Sequence, residues 1–150
     1  MIQLDFLKYQ PRLKLKTENN QKKVWDPVRS KWLVFTPEES VRQLLLIFLM
    51  EELRYQKNFI AIEKNIKVNS LTRRFDLLVY DKRQKPFLLV ECKSPEIPVN
   101  QSVFHQVAWY NMPLKVPYLL VTNGLATYCC SMNYELETFE FLDQIPSFDF

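Results

Sequence analysis

The chain has 150 residues, a length that suits a single domain with its own hydrophobic core. Hydrophobic residues make up 47% of it and charged residues 25%, as in ordinary soluble domains. Its single glycine, Gly124, excludes the P-loop and the glycine-rich dinucleotide fingerprint, since both motifs need several glycines. We therefore expect no nucleotide-driven motor within these residues.

Positive charge is concentrated near the N-terminus. The formal net charge is +3, yet residues 1–35 carry eight Lys and Arg against three acidic residues. A basic segment can follow a phosphate backbone, but a solvated surface explains so small an excess equally well. The charge distribution alone leaves both interpretations open.

Cysteine usage indicates a reducing compartment. Three cysteines are too few for a disulfide framework, and their number is odd. A single histidine gives little support to a zinc site. The adjacent Cys129 and Cys130 would point to opposite faces of a strand. The N-terminus lacks a signal-peptide layout, and no apolar run reaches membrane-spanning length. We expect a cytoplasmic protein without a membrane segment.

The first 35 residues predict a small β-ribbon. Leu and Lys alternate over residues 13–16, which indicates a half-exposed strand, and residues 32–35 could pair with it. Residues 24–29 predict a strand that ends in a turn.

A helix is predicted to begin after Thr36 and to run to about Tyr55. Thr36 suits the cap, Pro37 suits the first helical position, and Glu39 completes a capping box. The apolar side chains of this helix share a direction with Glu38, which is therefore predicted to face inward. Glu38 could join a site, but periodicity alone favours a first-turn acid that stabilises the helix dipole.

Residues 73–93 predict the central hairpin. Two nearly continuous apolar runs flank a polar turn at residues 81–85, so both strands are expected to be buried on both faces. A symmetric hairpin places Tyr80 opposite Phe87. The same register places Asp76 opposite Glu91.

This register brings three charged side chains together, because Lys93 shares the face of Glu91. Two opposed carboxylates destabilise a sheet, and a hard divalent cation such as Mg²⁺ would remove that penalty. A water molecule bound to such a cation beside a lysine is suited to phosphoester hydrolysis. On the evidence of the hairpin alone, a simple charge cluster at a strand end explains these three residues equally well.

Before this hairpin, residues 60–68 predict an amphipathic strand and residues 69–72 a turn, so three antiparallel strands precede the second helix. That helix is predicted at about residues 100–111. Its face of Val103, Gln106, Val107 and Tyr110 is expected to point inward, with His105 on the surface. Gln106 and Tyr110 could serve a site or only tie the helix to the sheet.

The remaining pattern continues the sheet. Residues 116–122 predict a strand joined to the hairpin by a right-handed crossover, and Asn123-Gly124 predicts a two-residue turn into a return strand at 125–132. Residues 134–142 are a candidate for a further strand, and residues 146–150 are expected to be a tail.

Asp76, followed after fourteen residues by Glu91-Cys92-Lys93, resembles the D…ExK core of PD-(D/E)XK nucleases. Gln106 and Tyr110 are similar to the Q-x-x-x-Y motif of the RecB-like members. Four stretches resemble the N-terminal nuclease domain of type I restriction enzyme R subunits, and the resemblance extends over residues 24–132. The stretches are residues 36–43, 75–81, 89–93 and 118–124. Phe75 stands where the motif's proline would be.

The resemblance implies an α/β (α+β) fold with a restriction-endonuclease-like core, in which a mixed central sheet is flanked by helices. We expect one domain over residues 1–150. It would comprise a basic N-terminal β extension (1–35), the core (36–142) and a tail (143–150).

The resemblance also implies a Mg²⁺-dependent DNA endonuclease, with Mn²⁺ as a substitute ion. Asp76 and Glu91 would ligate the metal with the Cys92 carbonyl, and Glu38 would support it. Lys93 would activate water and stabilise negative charge. In that family the Q-x-x-x-Y residues, here Gln106 and Tyr110, would contact the DNA backbone or orient the lysine.

Partners follow from the same resemblance. DNA is the expected substrate, and the chain would act either alone or with other restriction-modification subunits. A homodimer would supply two sites for cutting both strands. Two alternatives remain open: a nucleic-acid-binding module without catalysis, and a protein-interaction domain that uses exposed aromatic side chains. The candidate aromatics are Trp25, Trp32, Phe148 and Phe150.

Overall fold

Two helices and eleven strands organise the described part of the chain. In chain order the strands are β1 (Leu15–Glu18), β2 (Gln21–Asp26), β3 (Lys31–Val34), β4 (Ile60–Ile62), β5 (Asn65–Val68), β6 (Leu71–Arg74), β7 (Leu77–Tyr80), β8 (Pro86–Cys92), β9 (Tyr118–Thr122), β10 (Thr127–Asn133) and β11 (Thr138–Phe141). The α-helices are α1 (Pro37–Ile47) and α2 (Gln101–Asn111). Short 3-10 helices cover Phe6–Arg12, Lys57–Phe59 and Met112–Leu114. The structure is a computed structural model that describes residues 1–68 and 70–148, without the side chains of residues 66, 68, 71 and 73.

A six-stranded mixed sheet with the order β11-β10-β9-β8-β7-β4 forms the centre. Neighbouring strands are antiparallel except β8 and β9, which run parallel and are joined through α2. Leu77 and Val90 face the α1 side, whereas Leu78 and Leu89 face the α2 side. These side chains are fully buried, which confirms a central hairpin covered on both faces and the mixed α/β fold.

The hairpin register agrees with the prediction at its open end. Leu77 pairs with Val90, and the register continues without change to Val79. A bulge then shifts it, so that Tyr80 pairs with Pro86 and the predicted Tyr80–Phe87 pair is wrong. Because the bulge lies near the turn, it leaves the end that carries Asp76 unaffected.

The stretch at residues 60–68 forms two strands instead of the single one predicted. Glu63 has a positive φ of 50° and separates β4, in the central sheet, from β5, which pairs with β6. Backbone bonds from Glu63 N to Asp76 O (2.9 Å) and from Phe75 N to Lys64 O (3.0 Å) bridge the break. The predicted turn at 69–72 is too long, since Leu71 begins β6. Asn69 lies outside the described residues.

The predicted N-terminal β-ribbon is a three-stranded antiparallel sheet, β1-β2-β3. The predicted pairing of residues 13–16 with residues 32–35 is wrong, because β2 lies between β1 and β3. Trp25 and Trp32 form a cross-strand pair with ring centroids 5.5 Å apart. Both rings are half-buried, so they do not offer the exposed aromatic surface considered above.

Helix α1 begins as predicted, with Pro37 in its first turn and the Thr36 hydroxyl accepting the Glu39 N–H at 3.1 Å. The other half of the capping box is wrong, because the Thr36 N–H donates to Val34 O at 3.0 Å. A π-helical turn, Phe48–Glu52, continues the helix, which therefore ends just before Tyr55. The apolar face of α1 is buried against the sheet.

Helix α2 has the predicted length, and Asn100 caps it by accepting the Val103 N–H at 3.0 Å. Its predicted inward face is only partly right, since half-buried Val107 does pack against the core. Phe104 and Ala108 are buried, whereas Gln106 and Tyr110 are exposed. Phe104 turns inward because it packs against the rings of Tyr128 on β10 and of Phe139 and Phe141 on β11.

The last strands correct a turn prediction. Pairing extends to Thr122 and Thr127, so the loop has four residues instead of the predicted two. Asn123 Oδ1 closes this loop by accepting the N–H groups of Leu125 and Ala126. The candidate strand at 134–142 is confirmed as β11, which is shorter than the predicted range.

The predicted tail packs on the core where it is described. The Tyr55 hydroxyl donates to Pro146 O at 2.6 Å, and the Phe148 ring lies 5.1 Å from that of Tyr55. Phe150 lies outside the described residues. The three cysteines are free, and Cys129 and Cys130 face opposite sides of the sheet as predicted. Across the described ranges, no helix is long and apolar enough to cross a membrane.

Candidate active site

The break before β7 brings Asp76 to the end of β8. Asp76 directly precedes the Leu77–Val90 pair, and its Oδ2 accepts the Cys92 N–H at 2.7 Å. The carboxyl groups of Asp76 and Glu91 are close enough for a hydrogen bond when one of them is protonated. The structure therefore brings together the two carboxylates that the hairpin pattern placed opposite each other.

This proximity changes the acidity of Glu91. Burial, and after it the charge of Asp76, raise the pKa of Glu91 to about 8, although Lys93 acts in the opposite direction. At neutral pH Glu91 therefore retains a proton unless a cation neutralises the negative charge of the two carboxyl groups. A group of this kind, with a strongly raised pKa and a specific charged partner, is typical of functional sites.

Lys93 follows β8 directly, and its backbone N–H donates to Thr122 O at 2.8 Å, which holds it beside β9. Glu91 and Lys93 line a groove of about 340 Å³ together with Gln106 and Tyr110 of α2. The two α2 side chains thus do not face the core, but they do share an open groove with the charged end of β8. Arg74 of β6 also lines this groove.

The two first-turn acids of α1 exchange their predicted positions. Glu39 is the inward acid, with 6% of its side chain exposed, while Glu38 is 46% exposed. The reason is that Thr36 caps only the backbone of Glu39, whose carboxylate is then free to pair with buried arginines. Glu38 still lies near the site, since its Oε1 is 3.3 Å from Arg42 Nη2. Burial and the charge of Asp76 raise the pKa of Glu38.

Arg42 is a site residue that the sequence reasoning missed. Its side chain is 6% exposed, and its Nη2 donates to Asp76 Oδ1 at 2.9 Å. Nη1 contacts Glu39, and Nη2 also lies 3.3 Å from Glu38 Oε1. The spacing contained a signal, since Arg42 follows Glu38 by four residues and Glu39 by three, and such residues share a helix face.

A second arginine links this site to the N-terminal sheet. Arg29 donates from Nε to Asp26 Oδ2 at 2.6 Å and from Nη2 to Glu39 Oε1 at 2.5 Å. Gln43 of α1 also donates to Asp26 Oδ2, at 3.0 Å. Since Asp26 is completely buried, the contact between β2 and α1 is a desolvated polar network.

The donor set at the end of β8 suits a hard cation. Mg²⁺ binds oxygen ligands, typically one or two carboxylates, and keeps several waters. Asp76 and Glu91 supply two neighbouring carboxyl groups, and the Cys92 carbonyl belongs to the same strand end. In the described ranges, no three His, Cys, Asp or Glu side chains are grouped to hold a metal ion. The fit therefore depends on two carboxylates.

Comparison with known families identifies the chain. Residues 37–146 match the family model described as type I restriction enzyme R protein N terminus (HSDR_N). The chain belongs to this family. The matched range contains every predicted site residue of the R-protein N-terminal domain, from Glu38 to Tyr110, and excludes the sheet formed by β1, β2 and β3. Membership places the chain in the context of type I restriction systems.

A solved structure has the same fold as this R-protein N-terminal domain. It is a fragment of a protein described as an HsdR subunit of a type I restriction enzyme from Vibrio vulnificus YJ016. The TM-score is 0.51 at 20% identity, and the match covers 73% of this chain but only 23% of that chain. The likeness therefore shows the fold. No curated protein matches the sequence.

Proposed function

We propose that this R-protein N-terminal domain is a divalent-cation-dependent DNA endonuclease that hydrolyses phosphodiester bonds, with Mg²⁺ as its ion and Mn²⁺ as a substitute. The observation that carries the proposal is the proximity of the carboxyl groups of Asp76 and Glu91, of which Glu91 lines an open groove together with Lys93. Family membership supports it, because the matched family is named for a restriction enzyme subunit.

The acidic residues would hold the cation. When bound, Mg²⁺ supplies a Lewis acid that polarises a phosphate oxygen. Asp76 and Glu91 would provide carboxylate oxygens, and the Cys92 carbonyl would provide a further one. Glu38, on the first turn of α1, would add negative charge near Asp76 and support the ion without being buried beside it.

The groove residues would act on the DNA. Lys93 would orient the attacking water and stabilise the negative charge that develops on the phosphate. Gln106 and Tyr110 line the same groove from α2, where they would contact the DNA backbone or orient Lys93. Their exposed positions suit contact with a large substrate better than a role inside the core.

Cleavage of plasmid DNA in Mg²⁺ or Mn²⁺ tests the proposal. We expect Asp76→Ala and Lys93→Ala each to reduce the cleavage rate by about a hundredfold or more, because the first removes a ligand of the cation and the second removes a positive charge at the reacting phosphate. Lys85→Ala, which removes an exposed lysine from the β7–β8 turn, should cleave like the wild type. A wild-type protein that cuts neither supercoiled nor linear DNA in any divalent cation would contradict the proposal.

DNA is the proposed substrate, and the proposed location is the cytoplasm, where other restriction-modification subunits would act with the domain. Cutting both strands takes either two sites acting together, as in a homodimer, or two successive cuts by one site. Light scattering with and without duplex DNA distinguishes these routes, since a homodimer doubles the mass of the protein component. A protein that stays monomeric on DNA while cutting both strands would contradict the homodimer.

One observation favours a second candidate, a DNA-binding module without catalysis. Arg42 already supplies a positive charge to Asp76, as a fixed cation would in a site that has lost its metal. This alternative predicts DNA binding that weakens steeply with salt and does not change in Lys93→Ala. Cleavage that depends on Lys93 excludes it.

A further inference from the structure

We propose that Arg42 is a positioning residue that competes with the divalent cation for Asp76 and must move to a neighbouring acid when the cation binds. The inference rests on the proposed function, since it concerns the same site. It assigns a role to a residue outside the D…ExK and Q-x-x-x-Y motifs.

Both carboxylate oxygens of Asp76 already accept hydrogen bonds. Its Oδ2 is held by the Cys92 N–H at 2.7 Å, so the carboxylate is fixed to the backbone of β8. Its Oδ1 is 2.9 Å from Arg42 Nη2. A cation shared with Glu91 therefore meets a carboxylate that already carries a guanidinium.

Like charges make joint occupancy unfavourable. Arginine stays protonated at any pH that the protein tolerates, so it cannot relieve the repulsion by losing its proton. Asp76 and Arg42 are both largely shielded from water, with 16% and 6% of their side chains exposed. Repulsion between a divalent cation and the guanidinium would therefore be screened much less than on an open surface.

The surroundings offer Arg42 other acceptors. Its Nη2 lies 3.3 Å from Glu38 Oε1 and 3.7 Å from Glu63 Oε1, so a small rotation exchanges Asp76 for either acid. Nη1 would keep its contact with Glu39. The Nε of Arg42 is buried with no hydrogen-bond partner among the described atoms, so the present position leaves one donor unsatisfied.

Equilibrium binding of Mn²⁺ to the metal-free protein, followed by electron paramagnetic resonance of the free ion, tests the inference. We expect Arg42→Gln to bind Mn²⁺ on the order of tenfold more tightly than the wild type, because it removes the competing charge. Arg12→Gln is the matched control. It removes the same charge from a guanidinium that pairs with Glu51, away from Asp76 and Glu91, and it should change the affinity less than twofold.

A second variant protects the test against loss of fold, which circular dichroism would reveal. Arg42→Lys keeps the charge that Glu39 requires but cannot contact both carboxylates through one planar fork. It should bind Mn²⁺ severalfold more tightly than the wild type. The increase in Arg42→Gln should disappear when Glu91→Gln is added, because the ion then loses its second carboxylate.

The outcomes separate the inference from the proposed function. Mn²⁺ binding that is equal in the wild type, Arg42→Gln and Arg42→Lys overturns the role of Arg42 and leaves the proposed function standing. An equal increase in Arg12→Gln, or an increase that persists with Glu91→Gln, also overturns it, since the ion would then be responding to general charge or to a new site. No Mn²⁺ binding in any of these proteins overturns both proposals.

Discussion

Asp76 and Glu91 bring two carboxyl groups close together. A proton, a guanidinium or a bound metal ion would each reduce the repulsion between their negative charges. Burial and the charge of Asp76 raise the pKa of Glu91, and Arg42 already occupies one oxygen of Asp76. Each of the three cations relieves the same repulsion, so binding of one reduces the affinity for the others. Cation affinity should therefore depend on pH and on Arg42.

The pKa of Glu91 predicts how stability depends on pH in the absence of divalent ions. It rises from 4.5 to about 8 in the folded protein. The contribution of Glu91 is thus fully present below pH 4.5 and is lost as the pH rises towards 8, because the folded state holds a proton that the unfolded chain releases. We expect urea unfolding free energies to fall by a few kcal/mol between pH 5 and pH 8.

Glu91→Gln isolates this effect, because the amide does not titrate. Its unfolding free energy should depend much less on pH across the same interval, and Glu135→Gln, at an exposed position, should behave like the wild type. A wild-type stability that rises from pH 5 to pH 8, or an unchanged slope in Glu91→Gln, would contradict the assignment.

At this scale the sequence predicted the acids better than the arginines. The meeting of Asp76 with Glu91 follows from the hairpin register, which continuous apolar runs and a short turn determine locally. Arg42 was missed because an arginine on a helix is normally solvent-exposed. Its burial depends on acids from three separate segments, Glu39, Glu63 and Asp76, and only the folded chain brings these together.

Helix α2 carries Gln106 and Tyr110, and its attachment to the sheet depends on Phe104. The Phe104 ring is completely buried, with centroids of the Phe139 and Phe141 rings at 5.6 and 5.0 Å. This packing determines which face of α2 points inward. It therefore places Gln106 and Tyr110 at the groove.

Phe104→Ala tests this attachment. We expect a loss of about 3–5 kcal/mol in the free energy of unfolding, since the change leaves a cavity among buried rings. Trp109→Ala is the matched control on the same helix. The Trp109 side chain is large but 58% exposed, so its removal should change stability by no more than about 0.5 kcal/mol. Equal losses in the two variants would contradict the observed orientation of α2.

The helices and strands were largely predictable from the sequence. Which helix face is buried and where a strand is interrupted were not. Capping residues marked both helices, and apolar runs marked β7, β8 and β9. The predicted inward positions of Gln106 and Tyr110 on α2 were wrong because Phe104 packs against aromatic rings on β10 and β11, which are far away in sequence. The break at Glu63 was missed because a residue that is not glycine adopts a positive φ there.

Across the whole molecule, the N-terminal sheet and the site are joined by buried charge. Arg29 connects Asp26 of β2 to Glu39 of α1, and Arg42 continues the chain of contacts to Asp76. The sheet of β1, β2 and β3 precedes the range that matches the family, yet it supplies Arg29 to the network around the candidate active site. Breaking a buried pair of this kind leaves an uncompensated charge, which typically costs several kcal/mol.

Anomalous diffraction from crystals soaked in Mn²⁺ decides whether two carboxylates from neighbouring strands hold one hard cation. We expect an anomalous peak in direct contact with a carboxylate oxygen of Asp76 and of Glu91, with the Arg42 guanidinium displaced towards Glu38 or Glu63. Crystals in which Mn²⁺ binds elsewhere, or in which no ion contacts Asp76 and Glu91 at saturating Mn²⁺, would contradict a shared cation site.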